Sequence, residues 1–440
     1  METIQSTSLW QMVAAALIFF IAYGLVQTGI VHRAYAAWGG GILALILGLV
    51  DLTTAYRTHI AWETIVLLLG LMLMSGVTGK TGLFQYLAIK SVQKAEGHLT
   101  QIFLLLAAIA ALGSAILDPV TTIILIIPVT IRISKVIGVS PVPFIVTEML
   151  CGNIGGSATL IGSLPNMLIG SSKQTGVTFN GFLLHVAPLS ILLFIVTLLV
   201  LHRVFAKEWK QAGALSEEWK SLDASEYLKD RSLLIKALIV WGLTLLGFLF
   251  HLQLHISVAF IALAGAVILL LLTIRKKKEL EDALHSVEWG TLAFLIGLFL
   301  IVGGLVNTGT IEAIAVKGME LTSGSGMFIS ILALWVAGLV SAGVDQAPLV
   351  AAMIPLIKSI GAHMDLAYGW QLNPIWWSLA IGASIGGGAT LIGSHANLIA
   401  AGLAMKEGHE IKFMKYLKIA LPLTLLLLFI STGYVIWIYF

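Results

Sequence analysis

Apolar residues run along this chain in long blocks separated by short polar breaks. Blocks of roughly 18 residues or more read as helices that cross a membrane. They are read at about 9–31, 36–50, 62–79, 143–170, 181–204, 233–251, 256–274, 289–307, 371–400 and 413–439. Two further apolar segments, 99–137 and 325–360, are interrupted. Asp118-Pro119 breaks the first, and Asp345-Gln346-Ala347-Pro348 breaks the second. Each fits two full spans or a re-entrant helical hairpin, and pattern alone leaves both open. Alternating strands of the kind a membrane barrel needs are absent. The expected fold is an all-α polytopic membrane protein.

The blocks repeat. Trp62, Thr64, Gly70, Thr81 and Gly82 match Trp289, Thr291, Gly297, Thr308 and Gly309 at an offset of 227, as Asp118 and Pro128 match Asp345 and Pro355. At an offset of 231, residues 154–166 and 385–397 are identical in ten of thirteen positions. A tandem duplication follows. The first repeat is 1–205, with hairpin 99–137 and broken helix 143–170. A connector spans 206–231, and the second repeat is 232–440, with hairpin 325–360 and broken helix 371–400.

Composition sharpens the picture. The chain is 58% hydrophobic and 11% charged, against about 25% charged in soluble domains. The first block has no Lys or Arg before it and no small-residue cleavage site, so it reads as a retained span. One cysteine, Cys151, excludes an intrachain disulfide or a thiolate metal site. If both interrupted segments are hairpins, each half crosses five times and the two halves are inverted. That arrangement puts 21 of the 25 Lys and Arg on one side, leaving Arg57, Lys173, Lys317 and Lys358 on the other. The rich side should be cytoplasmic, with both termini outside and the connector inside. Two full double spans would give the same sidedness.

Candidate chemistry lies in the breaks. Gly152-Asn153-Ile154-Gly155-Gly156-Ser157-Ala158-Thr159 sits at the centre of a stretch longer than one crossing needs. Its glycines make a continuous helix costly, by up to about 1 kcal/mol each. Unwound backbone at membrane depth is tolerated where it lines a cavity, and broken helices at equivalent places in two repeats point to a transporter's substrate site. The bland alternative is a small-residue packing face. The substrate candidates are Asn153, Gly155, Gly156, Ser157, Thr159 and Asn166, with Ser384, Gly386, Gly387, Thr390, His395 and Asn397 from the second copy. For His395 a hydrogen-bonded packing role is an equal alternative.

Asp118 and Asp345 form the second constellation. An Asp in the membrane costs about 2.5–3.5 kcal/mol on insertion scales, and a carboxyl kept from water favours its neutral form. Each is a candidate proton site, or a cation site with Thr121, Thr122 or backbone carbonyls. Each also fits as a simple helix cap. Pro119 and Gln346 complete the hairpin tips, and Glu148 is a further coupling candidate or a partner for nearby hydroxyls. Cys151 reads as small-residue packing, Trp376-Trp377 as interface anchors, and 82–95 as an interfacial amphipathic helix. No Lys or Arg falls within the central motifs, which favours a neutral or cationic substrate, or proton coupling. No catalytic motif is present, so an enzyme is not expected.

The run Glu148 to Asn166, its second copy from Gly386 to Asn397, and Val287-Glu288-Trp289 with its following glycines resemble the ArsB/P-protein branch of the ion transporter superfamily. The resemblance covers nearly the whole chain. It implies two inverted structural repeats with about ten transmembrane helices, two re-entrant hairpins and two discontinuous helices, the tips meeting the unwound segments at the site. That branch usually carries Asp-Asn at the tips, where this chain has Asp118-Pro119 and Asp345-Gln346. Residue 384, often acidic or Asn in relatives, is Ser. The implied function is secondary transport, with efflux of As(OH)3 and Sb(OH)3 as the leading expectation. Sodium–proton antiport and anion carriage are its rivals. No cofactor is implied beyond coupling H+ or Na+. The expected partners are the lipid bilayer of a bacterial or archaeal inner (plasma) membrane, a second copy of the chain and an ATPase subunit, with no nucleic acid.

Overall fold

The computed structural model describes residues 8–440 except 97, 173–174, 212–219, 221–222, 229 and 365–368. Lys173, Lys229 and the middle of the 206–231 connector, Glu217 and Glu218 included, lie outside the described residues. Within them every regular element is helical. The first repeat contributes α1 (Leu9–Thr28), α2 (Arg33–Ile46), α3 (Trp62–Gly79), α4 (Leu83–Lys94), α5 (Leu99–Leu117), α6 (Pro119–Ile137), α7 (Val142–Ser157), α8 (Leu164–Ser171) and α9 (Phe179–Val204). The second contributes α10 (Arg231–Leu249), α11 (Val258–Thr273), α12 (Trp289–Asn307), α13 (Thr310–Thr322), α14 (Gly326–Gly343), α15 (Gln346–His363), α16 (Asn373–Gly386), α17 (His395–Lys406) and α18 (Phe413–Tyr439). Each helix has its counterpart nine labels later.

Nine of these helices are long and apolar enough to cross a membrane, and α11 is a shorter apolar one. The stretches 143–170 and 371–400 are absent from that count because each is two half-helices around a break. The tips of the interrupted segments dock on those breaks. Thr159 Oγ1 donates to the carbonyl of Ala115 at 2.5 Å, and Thr390 Oγ1 donates to that of Ala342 at 2.6 Å. Since α7 enters the break from one side and α8 leaves on the other, a tip held there ends partway through. Both segments are therefore re-entrant hairpins, α5–α6 and α14–α15, and the repeats are inverted.

Small residues set the closest approaches. A Cβ on Gly155 would fall on the backbone of Ala111, and one on Gly386 on the backbone of Gly338, so hairpin and broken helix touch main chain to main chain. The repeats also exchange a helix. α2 packs on α12, and α11 on α3. The duplicated Gly70 and Gly297 mark those crossings, where a Cβ would stand 2.7 Å from Ala262 and Ala37 backbone carbons respectively. Such close contact is the usual substitute for hydrophobic driving force between helices in lipid.

Two expectations change. Trp376 and Trp377 are buried in α16 rather than placed at an interface, and Trp377 stacks on His185 at 5.5 Å between ring centroids. The α4 helix is amphipathic, but its apolar face, Phe84, Ala88, Ile89 and Val92, is buried against the hairpin α5–α6. Outward from the core, large apolar side chains such as Leu9, Phe20, Leu271 and Trp437 are exposed, as lipid contact requires.

Candidate functional site

Four helices end and four begin in one place, because both hairpin tips and both helix breaks converge. The local chemistry explains each break. Pro119 opens α6 and disfavours helical backbone at Asp118, which adopts φ 90° and ψ 156°. A non-glycine residue at positive φ is strained, and the side chain offsets this by accepting from Thr121 N at 2.9 Å and Thr121 Oγ1 at 2.8 Å. Asp345 is unstrained at φ −54° and accepts from Ala347 N at 2.9 Å. Both aspartates thus cap the returning helix of their hairpin.

The unwound backbone is held by the paired asparagines. Asn166 Nδ2 donates to the carbonyls of Gly156, Ser157 and Thr159 at 3.3, 3.0 and 2.8 Å. Asn397 Nδ2 does the same for Gly387 and Thr390 at 3.1 and 2.9 Å. Asn153 Nδ2 then bridges the repeats, donating to Asn397 Oδ1 at 3.0 Å. Buried carbonyls need such partners, which accounts for the identity of these positions in both copies.

A cavity of about 570 Å³ opens at this junction. Of the residues singled out in the sequence, Asp118, Pro119, Thr121, Asn153, Asp345, Gln346, Ser384 and His395 line it. Gly155, Gly156, Ser157, Thr159, Asn166, Gly386, Gly387, Thr390 and Asn397 do not. They stand behind the wall as packing contacts and backbone latches, together with buried Thr122 and Glu148. Ser163 and Ser394, the residues that open α8 and α17, also line the cavity, and neither side chain caps its helix. The positive ends of two half-helices therefore start at the cavity without a side-chain cap.

Sequence reading missed the cations of the wall. Arg33, Lys80, Ser286 and Glu288 line the cavity at the Lys/Arg-rich ends of α2, α3 and α12. Arg33 donates to Thr291 Oγ1 at 2.5 Å and pairs with Glu288 at 3.5 Å. Thr291 Oγ1 in turn donates to Glu288 Oε2 at 2.6 Å. The expectation of a site without Arg or Lys is thus corrected: they reach it from the second and third helices. Only the resemblance of Val287-Glu288-Trp289 hinted at this rim.

A smaller space of about 300 Å³ lies at the opposite ends of α3 and α12, lined by His59, Ala61, Ser171, Gly303 and Pro355 among others. Many of its residues are repeat counterparts of the first cavity's lining: His59 for Ser286, Ala61 for Glu288, Gly303 for Gly76. None of them belongs to a hairpin tip. There, His59 Nε2 hydrogen-bonds Asn307 Oδ1 at 2.9 Å.

Comparison with known proteins places this architecture. Residues 16–382 match the family described as citrate transporter. An uncharacterised transporter of Mycobacterium tuberculosis is 37% identical over 409 residues, 92% of this chain and 93% of that one. The 46 kDa membrane protein of Mycobacterium leprae is 35% identical, over 97% of this chain and 98% of its own. The P protein of Mus musculus is 30% identical over 94% of this chain and 59% of its own length. Among solved structures, the YdaH transporter of Alcanivorax borkumensis superposes with a TM-score of 0.62 at 15% identity, over 97% of this chain and 98% of that one. MtrF of Neisseria gonorrhoeae, whose structure is described as illuminating a class of antimetabolite efflux pumps, superposes at 0.63 with 13% identity, over 98% and 95%. At that identity the two structures speak for the fold alone.

Proposed function

The chain belongs to the citrate transporter family, and from that premise we propose that it is a secondary active transporter of a small oxygen-rich solute, with arsenite and antimonite hydroxides leading. The cavity at the hairpin tips carries this reading. It offers acceptors from Asp118 and Asp345, hydroxyls from Thr121, Ser163, Ser384 and Ser394, and the starts of two half-helices that no side chain caps. Its guanidinium, Arg33, is already matched by Glu288. A neutral trihydroxide donates and accepts at once and carries no charge for Asp118, Asp345 or Glu288 to repel. The two aspartates are the coupling groups, taking up a proton or another cation as the tips change partners. With the Lys/Arg-rich side cytoplasmic, the open cavity faces inward, the loading side for efflux.

A second reading has its own support. Arg33, Lys80 and the uncapped starts of α8 and α17 favour a carboxylate anion, in keeping with the family's description. Such an anion would meet Asp118, Asp345 and Glu288 in the same wall, so this reading requires a cation carried with it.

Proteoliposomes separate the two readings. Arsenite, citrate with and without a divalent cation, and sodium-dependent proton movement are measured for wild type, Asp118→Asn and Asp345→Asn. Arsenite flux that both variants abolish or uncouple from pH is the expected result. Citrate flux dependent on a cation, or sodium–proton exchange without arsenite flux, overturns the leading reading. Unaltered pH dependence in both variants overturns the coupling role.

A further inference from the structure

Glu148 lines neither cavity. It is fully buried in α7, behind the cavity wall. Thr130 Oγ1 donates to its Oε1 at 2.5 Å, while Oε2 has no partner. Among the described residues it makes no ion pair. A carboxylate left with an unpartnered oxygen in such a place is costly, and a proton removes the cost.

Its surroundings form a row. Ser134 lies one turn from Thr130 on α6, toward the Lys/Arg-rich end, and its Oγ is buried without a partner. On the other side, Gly152 lies one turn beyond Glu148. A Cβ there would sit 3.2 Å from Ser114 Oγ, a third buried oxygen without a partner. Ser114 is one turn before Asp118, and its backbone carbonyl accepts from the Asp118 N–H at 3.3 Å. The second repeat keeps only the end of this row at the hairpin tip, Ser341 and Asp345. Ser134, Thr130 and Glu148 are replaced by Gly361, Ile357 and Leu379.

The titratable groups of the elements around Glu148 are few. α5 and α16 carry none, and Cys151 is on α7 itself. α6 brings Arg132 and Lys135, both exposed. α9 brings His185, His202 and Arg203, and α17 brings His395 and Lys406. None of them hydrogen-bonds or ion-pairs with Glu148.

We propose that Glu148 is a proton-binding site of the first repeat, and that the row Ser134, Thr130, Glu148 and Ser114 passes the proton between the Lys/Arg-rich surface and Asp118. The proton comes from water at that surface, neutralises the Glu148 carboxylate, and moves on to the Asp118 carboxylate, leaving Glu148 free to reload. The device is one-sided, since only one repeat has it. It rests on the reading of Asp118 as a coupling group.

Infrared titration of the full chain in liposomes, with no solute present, tests the binding site directly. The wild-type spectrum minus that of Glu148→Gln should show the C=O stretch of one carboxylic acid near neutral pH, lost on alkalinisation. No such band at any pH, or one that never titrates, overturns the proposal. The transfer role is read from proton movement per solute transported. Glu148→Gln should lose it, Ser134→Ala should slow it, and Glu148→Asp should restore it. Wild-type proton movement in Glu148→Gln overturns the row. If wild type itself moves solute without protons, the coupling reading fails, and the infrared band still decides whether Glu148 binds one.

Discussion

The contact between each hairpin and its broken helix invites the sharpest test. Replacing Gly155 by Ala places a methyl on the carbonyl oxygen and backbone carbons of Ala111, and Gly386→Ala places one on the backbone of Gly338. Neither obstacle is a flexible side-chain end, so the helices must part. Overpacking of this kind costs about 1–3 kcal/mol, offset by at most about 1 kcal/mol from the better helix propensity of Ala. With the added Cβ well inside van der Waals contact of a backbone oxygen at both sites, the upper part of that range applies, and each single variant should lose about 2 kcal/mol net. Gly242, with nothing within 4 Å of an added Cβ, is the control, and Gly242→Ala should be neutral or stabilising by up to about 1 kcal/mol. Unfolding in mixed detergent micelles, followed by circular dichroism, gives the three values. Flux should fall with stability at Gly155 and Gly386, because the same shift carries Ala115 away from Thr159 and Ala342 from Thr390. Gly155→Ala and Gly386→Ala within experimental error of wild type in both assays would refute the main-chain contact, and with it the docking of the tips.

Arg33→Gln separates the substrate readings: losing a charge-assisted contact of about 1.5 kcal/mol lowers flux of an anion about tenfold, and leaves arsenite flux nearly unchanged. Burial holds the His59 imidazole below its ordinary value of 6.5, against the opposing pull of its hydrogen bond to Asn307. The folded segment thus favours the neutral ring, local unfolding of 55–61 exposes a ring that binds the proton more readily, and local stability is lost as pH falls below 6.5. Hydrogen exchange of 55–61, corrected for its intrinsic rate, should accelerate on acidification, and His59→Gln should abolish that response. Because Cys151 is fully buried, single cysteines placed on the surface report sidedness directly. Cysteines at Ser140 and Lys277 should react with an impermeant maleimide from the cytoplasmic side, and those at Thr53 and Ser325 from outside. Reaction of Ser140 and Ser325 positions from one common side would refute the inverted hairpins.

What the sequence made legible is what depends on neighbours in the chain. Asp118-Pro119 announces a break because proline fixes the start of the next helix, and the duplicated glycines announce close contact because nothing else fits there. The roles of those residues depend on packing across the chain, and so stayed hidden. Asn166 and Asn397 look like ligands in a polar motif, yet each spends its amide on carbonyls seven to ten residues back. Arg33 looks like a flanking charge at the start of a span, but its partner Glu288 is 255 residues away. It reaches the cavity only because α2 crosses onto the other repeat. Trp376 and Trp377 misled for the same reason, since aromatic pairs at helix starts usually sit at interfaces and here the start of α16 is buried.

The two spaces at opposite ends of α3 and α12 give the duplication a functional meaning. They are built from equivalent positions, yet one reaches the hairpin tips and the other stops short. If the repeats exchange conformations, the smaller space becomes the deep one, and its rim is chemically different. His59 then stands where Ser286 stood, Asn307 where Lys80 stood, and Ala61 where Glu288 stood. A solute would enter past an Arg–Glu pair and a lysine and leave past a histidine and an amide. The pairing of Arg33 with Glu288 has no image on the far side, because their counterparts are Phe260 and Ala61. Under that exchange the inverted repeats would supply two related conformations, and the residues that break their symmetry, Glu148 among them, would distinguish one face of the membrane from the other.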